Sequence, residues 1–371
     1  MSNDIFSRLN PGISDLAPYE PGKPIDDVAK EYGISDIIKL ASNENPLGAS
    51  PKALRSITDL DDSLHLYPDG NCTELKNAIA NHEKVAEESV ILGNGSNEIL
   101  ELIARAWLNS SRNAITSRHA FAVYKIVTQA AGAKLIEVEA KNWKFNLEAF
   151  HNHFNEETSV IFIANPNNPT GTYLNKTELI YLRKKLNKKI LLVIDDAYHE
   201  YNIKKDYVSG LELFKRYKNV FILRTFSKLY GLASLRIGWG YGDKKIINAL
   251  YKIKPPFNVN YFAELCASKA ITEKIFVKKS VRHNLIWGNK IKKLFENYRI
   301  SSNEITSNFL LLNFKNCKIS SKIFMDMLLK NKIIVRSMKE YKIKNCLRLS
   351  IGNSFENKYL LKVVKKIFKN V

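Results

Sequence analysis

The chain has 371 residues, 45% of them hydrophobic and 11% aromatic, enough to bury one large core and a smaller one. Its 57 Lys and Arg against 37 Asp and Glu leave a net charge of +20, spread in pairs such as Lys184-Lys185 with no zinc-finger, ribonucleoprotein or compact basic-helix pattern, which argues against a nucleic-acid groove. No apolar run could span a membrane, no secretory leader is visible, and Cys72, Cys266, Cys317 and Cys346 lack disulfide or metal spacing, so a cytoplasmic protein without membrane or metal partners is expected.

Residues 1–45 carry Pro11-Gly12, Pro18, Pro21-Gly22 and Pro24 and read as an arm packed on another surface. From residue 89 to 242, short apolar runs alternate with helical patterns. Seven strands are predicted, at 89–92, 114–117, 134–138, 160–164, 190–195, 220–223 and 237–241. Helices are expected at 96–107, 122–131 and 177–187; in the first, Ile99, Leu102, Ile103, Ala106 and Trp107 share a face. Apolar β-branched runs alternating with helices predict an α/β fold with a mainly parallel seven-stranded sheet covered on both sides. The last ninety or so residues change character. Strands at 308–314, 333–336 and 346–351 and helices near 319–330 and 355–369 predict a smaller α+β domain. No internal repeat or low-complexity tract is present.

In such a sheet, ligands bind at the carboxyl ends of strands, and there the polar residues of this chain gather. After the first strand, Gly93-Asn-Gly-Ser96-Asn97 opens a helix, which suits an anion at the helix start; Ser96 or Asn97 is equally a sound N-cap. The loop Asn165-Pro-Asn-Asn168-Pro-Thr-Gly171 is ordinary turn chemistry that could also hold one amide, at Asn168, in a fixed place. Asp195 ends a wholly apolar strand, where a carboxylate is costly unless it meets a cation such as a protonated pyridine nitrogen; capping of the next turn is the alternative. Tyr198 lies three residues on. The densest signal is Arg224-Thr225-Phe-Ser227-Lys228, followed by Arg236. A lysine at a strand exit, flanked by hydroxyls and an arginine, suits a Schiff-base site for an aldehyde cofactor that also bears a phosphate. Arg348 alternates with Leu347 and Leu349 on a strand, so it faces with Ser350.

Together these segments resemble the aspartate-aminotransferase-like superfamily of pyridoxal-phosphate enzymes, fold type I. Within it the arm motif Lys39-Leu-Ala-Ser-Asn-Glu-Asn-Pro-Leu-Gly48, with Pro18-Tyr-Glu-Pro-Gly-Lys-Pro24 and Leu66-Tyr67-Pro68-Asp69, is similar to the histidinol-phosphate aminotransferase family. The resemblance covers nearly the whole chain. It implies an arm at 1–45 that packs on the small domain and a partner, a large cofactor-binding domain at 46–275 and a small domain at 276–371. It implies pyridoxal 5'-phosphate held by Lys228, with Asp195 on the pyridinium, Tyr198 and Asn168 on the ring oxygen and Phe121 stacked on the ring. Ser96, Asn97, Thr225, Ser227 and Arg236 would bind the cofactor's phosphate side. Tyr67 would reach the phosphate in the neighbouring subunit, making a homodimer with shared sites. Tyr19, Asn43, Asn168, Arg336 and Arg348 would contact the substrate, the two arginines gripping its anionic end.

The implied reaction moves an amino group from L-glutamate to 3-(imidazol-4-yl)-2-oxopropyl phosphate, giving L-histidinol phosphate and 2-oxoglutarate in histidine biosynthesis. An aromatic amino acid aminotransferase and, more remotely, a decarboxylase of O-phosphothreonine remain open as relatives of similar appearance. Three departures stand out against the family pattern: Ser234 in place of glycine, His119 before the ring-stacking segment, and Asp196 in place of glutamate.

Overall fold

The computed structural model describes residues 9, 10, 12–18, 35–58 and 63–369; Tyr19 and the motif from 19 to 24 lie outside the described residues. Eleven strands are present among them: β1 (Ile38–Leu40), β2 (Val90–Asn94), β3 (Asn113–Ser117), β4 (Lys134–Val138), β5 (Thr158–Ala164), β6 (Leu191–Asp195), β7 (Val220–Thr225), β8 (Ile237–Tyr241), β9 (Phe309–Asn313), β10 (Ile333–Ser337) and β11 (Cys346–Ser350). The seven from β2 to β8 form one sheet in the order β2-β8-β7-β6-β5-β3-β4. All seven coincide with the apolar runs of the sequence. Every residue of β3, β5, β6 and β7 is buried, as expected of strands with helices on both faces.

One strand breaks the parallel pattern. β8 runs antiparallel to both β2 and β7, and Gly238 and Gly240 sit where it meets them. The helix Ser96–Trp107 also departs from expectation: its buried face is Ile99, Leu100, Leu102, Ile103 and Ala104, while Ala106 is exposed and Trp107 half-buried. The reason is its setting. It lies on β2 and β8 and is flanked by the helices Val123–Ala130 and Lys244–Tyr251, so a wider stripe is covered than a single face would offer.

A second sheet, β1-β10-β11-β9, belongs to the other core. β1 comes from the arm region and pairs in parallel with β10, so residues 38–40 are stitched into the small sheet. The long helix Lys274–Glu296 joins the two cores. Val277 and Val281 pack against the large one, whereas Trp287, Ile291, Leu294 and Phe295 belong to the small one. Among the described residues no helix is long and apolar enough to cross a membrane.

Candidate active site

Going along the large sheet, the chain runs from β3 outward to β4 and then returns to β5 on the other side of β3. That reversal leaves a crevice at the carboxyl ends of β3, β5 and β6. A cavity of about 210 Å³ opens there. Asp195 lines it as the last residue of β6. Its carboxylate accepts from Tyr124 Oη at 2.9 Å and from the Ala197 N–H at 3.2 Å. Burial outweighs both hydrogen bonds and pushes the carboxyl up to about 6. This acid is therefore short of a cation. A protonated ring nitrogen fits that deficit better than any protein group nearby.

Lys228 follows the β7 exit and also lines the cavity. Burial first, then the cation of Arg348, lowers its ammonium to about 8. Among the described residues the Nζ atom makes one long hydrogen bond, 3.4 Å to the Ser42 carbonyl oxygen, so it is held loosely, and it lines the cavity. A lysine in this state has a usable neutral fraction near pH 7 and is a ready nucleophile.

The anion cradle is assembled from two directions. Gly95, not Ser96 or Asn97, is the N-cap of the helix Ser96–Trp107. Ser96 and Asn97 thus occupy the first turn, with backbone N–H groups at the cavity end. Opposite them, Arg236 has a left-handed backbone (φ +55°) and donates from Nη1 to Ala233 O at 2.9 Å and to Ser227 Oγ at 3.4 Å. Thr225 Oγ1 accepts from the Ser227 N–H at 3.0 Å and fixes that turn. Gly95 has φ +78°, and a Cβ there would collide with the Arg236 guanidinium. Gly95→Ala should therefore displace Arg236 and weaken cofactor binding by about tenfold or more, the loss of roughly one charge-assisted contact. An equilibrium titration of the cofactor followed by absorbance measures this, with a melting curve to show that the fold is kept.

The far wall is cationic. Arg336 and Arg348 stand directly opposite one another across the antiparallel pair β10 and β11, so both face the cavity. Like charges in that register destabilise a sheet, which points to an anionic occupant. Arg336 pairs with Glu340 at 2.6 Å. Arg348 donates to Asn168 Oδ1 at 2.6 Å and to the Ala41 carbonyl at 2.8 Å, and lies over the Phe309 ring at 5.4 Å. Its Nε is buried without a partner among the described residues. Arg348→Lys keeps the charge but loses the planar fork. We expect kcat/KM to fall about a hundredfold for both amino-group donor and product, with an unchanged melting temperature. Steady-state kinetics on both substrates check it.

This geometry is matched by sequence. The family profile described as aminotransferase class I and II covers residues 35–364. The chain belongs to the class I and II aminotransferases. The histidinol-phosphate aminotransferase of Pelagibacter ubique is 46% identical over 95% of this chain and 97% of its own. Histidinol-phosphate aminotransferase 2 of Pseudomonas fluorescens is 42% identical over 99% of each. A crystal structure of histidinol-phosphate aminotransferase from Sinorhizobium meliloti in complex with pyridoxal-5'-phosphate superposes with a TM-score of 0.87 at 23% identity, covering 99% of this chain and 100% of that one. This last likeness concerns the fold.

In this aminotransferase, the cavity brings together Ser96, Asn97, Phe121, Asn168, Asp195 and Tyr198 from the ends of β2, β3, β5 and β6 and the segments that follow them, and Thr225, Ser227, Lys228 and Arg236 from β7 and its exit. Asn43, Arg336 and Arg348 close the far side. Tyr67 does not join them. It is 81% exposed, stacks on Phe257 at 4.6 Å and is not among the residues lining its own cavity. Tyr124 was not singled out from sequence. A tyrosine at the start of an apolar helix reads as core, and indeed it is fully buried and stacked on Phe162; only the position of its hydroxyl on Asp195 reveals its part. Of the three departures, Asp196 accepts from Ser209 Oγ and the Gly210 N–H and serves the loop after β6. His119 Nδ1 lies 2.8 Å from the Tyr341 carbonyl oxygen, and Ser234 is exposed.

Proposed function

We propose that this aminotransferase is a histidinol-phosphate aminotransferase, interconverting L-glutamate and 3-(imidazol-4-yl)-2-oxopropyl phosphate with 2-oxoglutarate and L-histidinol phosphate in histidine biosynthesis. The observation that carries the reading is the full-length identity of 46% and 42% to proteins of that name, joined to a cavity whose donor set suits the cofactor and an anionic substrate. The same identities leave the aromatic aminotransferase and phosphothreonine decarboxylase readings unfavoured.

Pyridoxal 5'-phosphate, when bound, supplies an aldehyde that condenses with amines and a protonated ring that takes up electrons from the substrate Cα. Lys228 Nζ would hold it covalently and move the proton at the substrate Cα, for which its lowered basicity of about 8 is suited. Asp195 would keep the ring nitrogen protonated, and Tyr124 would hold that carboxylate in place. Tyr198 and Asn168 would meet the ring oxygen and Phe121 the ring face. Ser96, Asn97, Ser227 and Arg236 would hold the phosphate, supported by Thr225. Arg348, with Arg336 beside it, would take the substrate's anionic end by bidentate contact. Tyr19 completes the substrate-side residues expected from the resemblance; Asn43, also expected there, lines the same cavity with its side chain hydrogen-bonded to Tyr198 and Ser350.

We infer a homodimer with shared sites. Tyr67 is exposed beside exposed Leu64, Leu66 and Phe257, an apolar patch that suits a partner copy and lets Tyr67 reach its phosphate. We divide the chain into an arm at 1–45, a large domain at 46–275 and a small domain at 276–371. A cytoplasmic location agrees with four free cysteines, three of them buried. The test is a panel of amino acceptors with coupled glutamate turnover. The reading expects imidazole-acetol phosphate to exceed phenylpyruvate by orders of magnitude in kcat/KM; the reverse ranking contradicts it.

A further inference from the structure

The segment that follows β1 runs between the two cores and touches several functional side chains at once. The Ala41 carbonyl accepts from Arg348, the Ser42 carbonyl accepts from Lys228, and Asn45 Nδ2 donates to the carbonyl of Leu229, next to Lys228. Asn43 is the most committed member. It is 1% exposed and has a left-handed backbone at φ +57°, which asparagine tolerates better than most residues. Its main-chain N–H donates to Ser350 Oγ at 2.8 Å, and its carbonyl accepts from Asn308 Nδ2 at 2.8 Å. Its side chain spans two groups: Oδ1 accepts from Ser350 Oγ at 2.9 Å, and Nδ2 donates to Tyr198 Oη at 3.0 Å.

The direction of that last bond is fixed by counting protons. Ser350 is buried, and its hydroxyl already accepts from the Asn43 N–H. Its own proton therefore needs an acceptor, which Asn43 Oδ1 supplies. Rotating the amide by half a turn would place NH₂ against Ser350 and leave the serine proton without a partner in a buried site. Asn43 must then present NH₂ to Tyr198. A phenol oxygen that accepts there keeps its single proton for another direction. Among the described residues Tyr198 Oη meets no other hydrogen-bonding group, and Tyr198 lines the cavity.

We propose that Asn43, held by Ser350, is a positioning residue that aims the Tyr198 proton into the cavity, so that the phenol is a committed donor to a ring oxygen there. The inference rests on the cofactor reading above. It also assigns the side chain of Asn43 away from substrate: both of its polar ends are used. The charged groups that share the cavity with Tyr198 are Asp195, Lys228, Arg236, Arg336 and Arg348, and its hydroxyl is hydrogen-bonded to Asn43.

The test is a double-mutant cycle read by the pH titration of the bound cofactor's visible absorbance. A phenol donating to an ionised ring oxygen holds the midpoint of that titration down, so Tyr198→Phe should raise it by about one pH unit or more. Asn43→Asp keeps the shape and the backbone tolerance but turns the donor into an acceptor that captures the tyrosine proton. It should raise the midpoint by a comparable amount in the parent, and by less than half as much in the Tyr198→Phe background, where only the field of the new carboxylate remains. Ser350→Ala releases the amide without adding charge and should raise the midpoint in the parent alone. Equal shifts in the two backgrounds, for both variants, would overturn the relay. A parent protein whose absorbance titrates but ignores these changes defeats this inference only, whereas a parent that takes up no cofactor defeats the functional reading as well.

Discussion

Lys228→Ala should abolish transamination, lowering the rate by roughly four orders of magnitude or more, because the nucleophile and the proton carrier are one group. The fold should not suffer. Among the described residues Lys228 Nζ has a single hydrogen bond of 3.4 Å, and its ammonium is disfavoured by burial and by the Arg348 cation. The folded state holds this lysine at about 8, below the ordinary 10.5, so the folded chain binds its proton less well than the unfolded chain. That penalty is fully present below pH 8 and disappears as pH rises toward 10.5. The cofactor-free variant should thus melt at or above the parent at pH 7, and the difference should close between pH 8 and 10.5. Single-turnover assays with glutamate and melting curves across that range check both halves. Turnover near the parental rate would remove Lys228 from the chemistry.

Asp195→Asn should cost about two to four orders of magnitude in the half-reaction with glutamate while cofactor is still bound. A neutral amide can still accept from the Ala197 N–H through its oxygen and donate from its NH₂ to the Tyr124 hydroxyl oxygen, so the pocket keeps its shape, but it no longer favours a protonated ring nitrogen. The same change has a second consequence for the cofactor-free protein. Burial raises the Asp195 carboxyl to about 6 against an ordinary value of 3.8, so ionising it in the folded state opposes stability at neutral pH. The penalty is absent at pH values below 3.8 and complete above about 6. Without cofactor, Asp195→Asn should therefore melt higher than the parent at pH 7 and no higher at acid pH. Stopped-flow absorbance gives the rate, and calorimetry at two pH values gives the stability. An unchanged single-turnover rate would show that the carboxylate does not govern the ring.

The large sheet was legible in the sequence because buried parallel strands read as uninterrupted apolar runs, from Val160-Ile-Phe-Ile-Ala164 to Leu191-Leu-Val-Ile194. The site was legible because polar residues punctuate the ends of those runs. Direction was not legible: nothing in Ile237-Gly-Trp-Gly-Tyr241 marks β8 as antiparallel. The helix Lys274–Glu296 was missed for a physical reason. Its buried stripe passes through Ser280 and Asn284, where an apolar period would need hydrocarbon. Both find long-range partners, Ser280 Oγ accepting from Asn45 and Asn284 Nδ2 donating to the Ser307 carbonyl, which no local pattern can show. Tyr124 escaped in the same way, and Asn43 was expected at the substrate rather than at Tyr198, since each acts through a hydroxyl or amide whose partner is more than seventy residues distant in sequence.

Borohydride reduction of the purified holoenzyme, followed by peptide mapping, tests the central assignment most directly. Reduction fixes pyridoxal phosphate on the amine that carries it, so the modified peptide names the residue. The geometry of the cavity predicts loss of the yellow absorbance and a single stoichiometric pyridoxyl group on Lys228. A group found on another lysine, or no stable adduct from a protein that is otherwise active, would contradict the site described at the β7 exit.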